Sequence, residues 1–209
     1  RIDKRRKFPA TVLLRVCGLE KDEDMLNFFY PCKSYSIKKE PTLDHYAGKI
    51  LSRDVVDPDS GEVLAEAASK LTKEILVKIQ KTKVQELFLV EWDEKTSNVA
   101  ILETLKKDPI KSRKEALHFL YKYVRGQEFV IQQQAEELME NMFFSRKSRK
   151  YDLTHVGRYK IAKKMGPIYG YLESRKEWNF KAPSNSRQLC PEDIVATILY
   201  LTFLNDDQA

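Results

Sequence analysis

The chain has 209 residues and a formal net charge of +6, with 42% hydrophobic, 33% charged and 11% aromatic residues. That balance excludes a wholly disordered chain and allows one sizeable core or two small ones. No run approaches the roughly 18 uninterrupted apolar residues of a bilayer span, the start is too charged for a signal peptide, and Cys17, Cys32 and Cys190 contain no Cys-x-x-Cys pair; a cytoplasmic protein without disulfides, structural zinc or a membrane segment is expected.

Residues 1–8 read as extended. Pro9 then opens a short helix through Thr11 to Val16, which Gly18 ends. Asp22 to Tyr30 reads as a second helix, with Met25, Phe28 and Phe29 at helical spacing and acids in the first turn. After Pro31 the period shortens. Ser34–Lys38, Ala47–Val55, Val63–Ala67, Leu87–Glu91 and Val99–Thr104 are predicted strands, and Thr72–Lys83 a helix with Ile75, Leu76 and Ile79 on one face. The run Asp57-Pro58-Asp59-Ser60-Gly61-Glu62 has the composition of a tight turn between antiparallel strands, and its acids do not fit a calcium loop.

From Ser112 helices dominate. Ala116, Leu117, Leu120 and Val124 mark a helix over 112–125, and Ala135, Leu138, Met139, Met142 and Phe143 mark another over 132–144. Asp152 is the expected cap of a basic helix to about Met165, with Val156, Ile161 and Met165 facing inward. Residues 166–189 mix Gly, Pro, Ser and Asn with Tyr169, Tyr171, Trp178 and Phe180 and read as a long loop pinned by its aromatics. Pro191, Glu192 and Asp193 open a last helix to about Leu204, carried by Val195, Ile198, Leu199 and Thr202. The expected fold is α+β: a helical body made of residues 1–30 and 109–209, and an inserted, mainly antiparallel β-rich module over 31–108.

The charge is local. Residues 1–7 carry five cations and one anion and residues 145–166 eight cations and one anion, so the remainder is about five units negative. Clustered Lys and Arg form an electrostatic footprint for phosphate backbones, against which stands the plain reading of a solvated helix face. Catalytic constellations are missing: there is no phosphate loop, no Gly-x-Ser-x-Gly elbow and no His-Glu-x-x-His pair, and His45, His118 and His155 lie far apart in the sequence.

The opening Arg1-Ile2-Asp3-Lys4-Arg5-Arg6-Lys7-Phe8-Pro9-Ala10-Thr11 resembles a segment of bacterial RNA polymerase β subunits. Glu140-Asn141-Met142-Phe143-Phe144, Tyr151-Asp152-Leu153, Val156-Gly157-Arg158-Tyr159-Lys160 and Glu192-Asp193-Ile194 resemble further segments of that family in the same order, and residues 47–66 its variable insertion. The resemblance implies a piece of the DNA-directed RNA polymerase β subunit, its lobe, a non-catalytic jaw that flanks downstream DNA during transcription. It implies Asp3 and Lys4 as part of a pocket sensing a non-template base, while the two basic clusters make Arg5, Arg146, Lys147, Arg149, Lys150 and Arg158 the further DNA contacts expected. It also implies α, β′, omega and sigma subunits as partners, with the catalytic Mg2+ held by β′ and no cofactor in this chain. Lys4 stands where the family has arginine, which removes bidentate contact; residues 145–150 are longer and more basic than the family's link, and 166–189 is also longer.

Two other readings compete. The chain is a free-standing nucleic-acid-binding protein with a general phosphate groove, or a module in which the insert over 31–108 binds transcription regulators.

Overall fold

The computed structural model describes residues 7–38, 42–91, 98–144, 152–183 and 186–205. The architecture is α+β, dominated by helices with small antiparallel sheets. It divides into two compact units, one formed by the chain up to residue 21 together with 108 onward, the other by residues 22–107. Among the described residues no helix is long and apolar enough to cross a membrane.

The first unit begins with α1 (Ala10–Val16), which follows Pro9 as expected of a residue with fixed φ and no N–H to lose. Its buried polar side chains tie it to the point where the chain re-enters this unit. Thr11 Oγ1 donates to Asp108 Oδ2 at 2.5 Å, and the fully buried Arg15 donates from Nη1 to the Glu20 carbonyl at 2.7 Å and to the Lys111 carbonyl at 3.5 Å. Asp108 in turn accepts the Ile110 N–H. Buried polar groups persist only with such partners.

Helix α5 (Arg113–Arg125) starts at Ser112, whose Oγ accepts from the Glu115 N–H, while Glu115 reaches back to the Lys111 N–H. It stops at Gly126, whose φ of 72° favours a residue without Cβ. Helix α6 (Gln132–Met139) runs on into a wide π turn over Glu140–Phe144. Ala116, Leu117, Leu120, Tyr121, Ala135 and Met139 form a core with Val12 of α1, and Leu138, Met142 and Phe143 pack on it. The stripe expected over 132–143 is therefore core-facing. Helices α7 (Thr154–Ser174) and α8 (Pro191–Asn205) pack on each other, with Ile168, Tyr169 and Leu172 buried on α7 and Val195, Ala196 and Leu199 buried on α8.

The second unit holds α2 (Asp22–Phe29), β1 (Cys32–Ser36), β2 (Ile50–Leu51), β3 (Val55–Val56), β4 (Val63–Ala65), α3 (Lys73–Gln80), β5 (Glu86–Val90) and α4 (Ala100–Lys107). The three-stranded sheet has the order β1-β5-β2, all antiparallel, with Cys32 opposite Val90, Ser36 opposite Glu86 and Leu51 opposite Leu89. β3 and β4 form a separate hairpin. Its turn is the predicted one: Asp57 accepts from Ser60 Oγ and the Asp59 N–H, and Gly61 takes a φ of 72°. Leu51, Leu71, Leu76, Ile79, Leu87 and Leu89 are the centre of this unit's core.

Helix α2 belongs to this second unit because Phe28 and Leu26 are buried and Tyr30 fastens the following turn to α4, donating to the Asn98 carbonyl at 2.6 Å and accepting the Leu102 N–H. Two expectations are corrected. The strand expected over 99–104 is instead helix from Ala100 onward: Ile101, Leu102 and Leu105 share one buried face, and Asn98 Oδ1 accepts the Ala100 N–H to start the turn. The loop expected over 166–189 is helical as far as Ser174, with Pro167 inside α7. A proline there forfeits a backbone hydrogen bond. Burial of Ile168, Tyr169 and Leu172 just beyond it outweighs that local cost.

Candidate nucleic-acid interface

Helix α7 opens with a strained turn. Thr154 has a φ of 57°, unusual for a β-branched residue, and is held there from both sides: its N–H donates to Asp152 Oδ1 at 2.9 Å, and its Oγ1 accepts from the Gly157 N–H. Asp152 also receives Arg187, from Nη2 to Oδ2 at 2.6 Å and from Nε to Oδ1 at 3.2 Å. The Leu153 N–H donates to the Arg187 carbonyl at 2.7 Å, so residues 186–190 lie along the start of α7.

One turn further, Arg158 is placed where the DNA-contact expectation does not hold. It is 5% exposed. It donates from Nη1 to Asp193 Oδ1 at 2.6 Å and from Nη2 to Asp193 Oδ2 at 3.0 Å, and adds the carbonyls of Ser186 and Gln188, each at 2.6 Å. A fork so committed has no edge to offer a phosphate. Asp193 sits in the first turn of α8, where its Oδ2 accepts the Cys190 N–H at 2.8 Å in the manner of a capping carboxylate, and Tyr169 donates to its Oδ1 at 2.5 Å. Burial acts to lower the Arg158 pKa, but the hydrogen bonds and charge of Asp193 overcome it and hold the value above the ordinary one. Desolvation and the bond to Asp193 push Tyr169 well above the ordinary phenol. The segments around Asp152, Arg158 and Asp193 thus meet in one clasp joining α7, the 186–190 segment and α8. Sequence reading missed this clasp because its carboxylate lies 35 residues from its guanidinium; the signal available was an acid in the first turn after Pro191.

With Arg158 turned inward, the opposite side of α7 is fixed outward. Tyr159 is 68% and Val156 64% exposed, so Val156 does not face the core as expected; Ile161 and Met165 are half-buried. Lys160, Lys163 and Lys164 are exposed, and Lys164 Nζ stands 5.0 Å from the Tyr200 ring centre. From Thr154 to Leu172 the helix contains no acidic residue. Among the described residues the side chains of Tyr159, Lys160 and Lys163 enter no hydrogen bond or ion pair. Some surface lysines elsewhere are paired, as in Lys83–Asp59, Lys106–Glu103 and Lys122–Glu128, whereas Lys73, Lys78 and Lys81 of the second unit have no ion pair among the described residues. A solvated face usually mixes signs; this one is cationic throughout. Asp3, Lys4, Arg5, Arg146, Lys147, Arg149 and Lys150 lie outside the described residues. No group of three or more His, Cys, Asp or Glu side chains among the described residues is placed to hold a metal ion.

The comparisons with known proteins agree on one family. A family model described as RNA polymerase Rpb2, domain 2, matches residues 67–206. The chain is 32% identical over its whole length to the DNA-directed RNA polymerase subunit beta of Porphyromonas gingivalis, 31% identical over its whole length to that of Bacteroides fragilis, and 29% identical over 98% of its length to that of Leptospira biflexa. In each case it spans 16% of the relative's length.

Proposed function

Because this chain belongs to the RNA polymerase Rpb2 domain 2 family, among the DNA-directed RNA polymerase β subunits of bacteria, we propose that it is the lobe of such a subunit, a non-catalytic surface that flanks downstream DNA in the main channel of a cytoplasmic polymerase during transcription. The observation that carries this reading is the acid-free, unpaired cationic face of α7, held outward by the buried Arg158–Asp193 clasp. Phosphate recognition needs just this: fixed cations without internal counterions, which orient a duplex without reading its sequence. Asp3, Lys4, Arg5, Arg146, Lys147, Arg149 and Lys150 extend the same role in the proposal, with Asp3 and Lys4 facing a non-template base. Catalytic Mg2+ is assigned to the β′ partner. The α, omega and sigma subunits complete the assembly, and the 31–108 module is the surface offered to regulators.

The test is the salt dependence of duplex DNA binding. Over about 50 to 200 mM salt, each phosphate contact contributes about 0.9 to the slope of log affinity against log salt. Lys160→Gln with Lys163→Gln should weaken binding on any sequence and flatten the slope by about that amount for each lysine in contact. An unchanged slope identifies the face as merely solvated.

A further inference from the structure

We propose that β1 is the acceptor for an extended, acidic segment of a partner protein, which adds itself as a further strand to the sheet β1-β5-β2 and lays its carboxylates beside Lys33 and Lys49. The inference rests on the reading of the 31–108 module as a surface offered to regulators. It names the strand that receives the partner and the chemistry of what is received.

The sheet has one closed edge and one open one. Beyond β2, residues 68–71 run alongside and take up its outer backbone groups: the Ala68 N–H donates to the Leu51 carbonyl at 2.9 Å, the Leu51 N–H to the Ser69 carbonyl at 3.0 Å and the Leu71 N–H to the Lys49 carbonyl at 2.8 Å. Beyond β1 there is no such neighbour among the described residues. At its two ends the Glu91 N–H donates to the Pro31 carbonyl and the Ile37 N–H to the Gln85 carbonyl, each at 2.8 Å. With Lys33 opposite Leu89 and Tyr35 opposite Leu87 in one unbroken register, the odd-numbered residues bond to β5, and the N–H and C=O groups of Ser34 and Ser36 point away from the sheet. Among the described residues those groups have no partner. Ser34 and Ser36 are exposed, and the strand contains neither a proline nor a bulge to blunt its edge.

A row of outward amides and carbonyls is matched by another extended backbone, and the side chains around it decide which. Lys33 and Tyr35 share one face, since both reach Glu91, and Lys49 Nζ stands 5.0 Å from the Tyr35 ring centre. That face has two cations for one carboxylate, which also accepts the Tyr35 hydroxyl. A strand laid along β1 brings its side chains to about 5 Å from those of Lys33 and Tyr35, so acids there complete the charge and lysines would meet like charge. A nucleic acid would offer phosphates to the lysines and nothing to the amides. On the other face the edge shows only the small side chains of Ser34 and Ser36, with Phe88 behind Ser34, which leaves room for β-branched residues. The partner segment therefore alternates acidic with β-branched residues. Antiparallel addition continues the existing sheet, and the residue opposite Ser34 then carries both a β-branched side chain and the N–H that faces β1.

The experiment measures binding of a fluorescein-labelled Glu-Val-Glu-Val-Glu peptide, capped at both ends, to the full chain by fluorescence anisotropy, with a Lys-Val-Lys-Val-Lys peptide beside it. The glutamate peptide should bind at least about fivefold more tightly than the lysine peptide. Methylating its valine nitrogens should abolish binding, and methylating its glutamate nitrogens should not. Ser34→Pro should leave thermal unfolding of the chain unchanged, because that N–H serves no ladder bond, yet weaken the glutamate peptide about tenfold or more. Lys33→Gln with Lys49→Gln should weaken it about two- to fivefold and reduce its salt dependence. Binding that survives Ser34→Pro and both methylations but falls with the lysine pair overturns strand addition and leaves the module standing as a docking surface. Equal affinity for the two peptides overturns the acidic partner. A concentration-dependent dimer of the chain in sedimentation, lost with Ser34→Pro, would make a second copy the occupant and overturn the proposal as well. If the glutamate peptide does not bind at millimolar concentration the inference fails, while the regulator-facing reading of the module, which does not depend on this strand, is left standing.

Discussion

Removing Asp193 measures how much of the fold depends on the clasp. Arg158 and Asp193 are bidentate at 2.6 and 3.0 Å, and their side chains are 6% and 3% exposed. Truncating one partner of such a pair strands a charge away from water, at a cost of about 3 to 5 kcal/mol. Asp193→Ala should sit toward the upper end, because it also removes the acceptor of the Cys190 N–H and of the Tyr169 hydroxyl. Arg158→Met should sit nearer about 3 kcal/mol, since those two donors still reach the carboxylate. For a protein of this size each kcal/mol moves Tm by about 2 to 4 °C, so Asp193→Ala, at about 4 to 5 kcal/mol, should lower it by roughly 8 to 20 °C. Urea unfolding followed by helical circular dichroism should show the midpoint moving with the slope unchanged. Because the two residues share one interaction, Arg158→Met with Asp193→Ala should cost less than the sum of the two single changes by about 1 to 3 kcal/mol. Strict additivity, or a loss under about 1 kcal/mol for Asp193→Ala, refutes the reasoning.

The same network has a pH signature. The Tyr169 pKa is raised above its ordinary 10.0, so the stability its protonated hydroxyl contributes is complete below about pH 10 and is lost as pH climbs toward the raised folded value; Tyr169→Phe should remove that part of the alkaline decline in a stability-against-pH titration. Cys17 is 6% exposed and burial lifts its thiol to about 12, so at about pH 8 iodoacetamide should leave it unmodified in the folded chain and alkylate it in concentrated urea. Replacing residues 22–107 by a short glycine linker should leave a helical body that still unfolds cooperatively, because Thr11–Asp108 and Arg15–Lys111 close the first unit across the deletion.

Where local chemistry decides the structure, the sequence was legible. The Asp57–Gly61 turn carries its geometry in its own side chains, and α3 and α5 lie within a few residues of their expected bounds, whereas the single strand expected over 47–55 is broken into β2 and β3. Long-range burial was not legible. Val99 to Thr104 is apolar and β-branched enough to pass for a strand until Ile101, Leu102 and Leu105 find one face to bury. Gly166 and Pro167 look like the end of a helix, and only the packing of Tyr169 and Leu172 beside α8 carries α7 past them. Arg158 was read with its basic neighbours as a DNA contact because nothing near it in the chain announces a counterion. The same blindness hid the site's main feature: once Arg158 turns in, helical geometry turns Val156 and Tyr159 out.

The most direct test of the DNA-facing role uses a polymerase assembled with this chain as part of its β subunit. Promoter complexes are challenged with heparin across about 50 to 200 mM salt, and their decay is compared for the unchanged enzyme, for Lys160→Gln with Lys163→Gln, and for a control pair on the second unit, Lys78→Gln with Lys81→Gln. The account predicts faster decay and a weaker salt dependence for the α7 pair alone. Equal lifetimes for the unchanged enzyme and the α7 pair, or the same loss from the control pair, would contradict it.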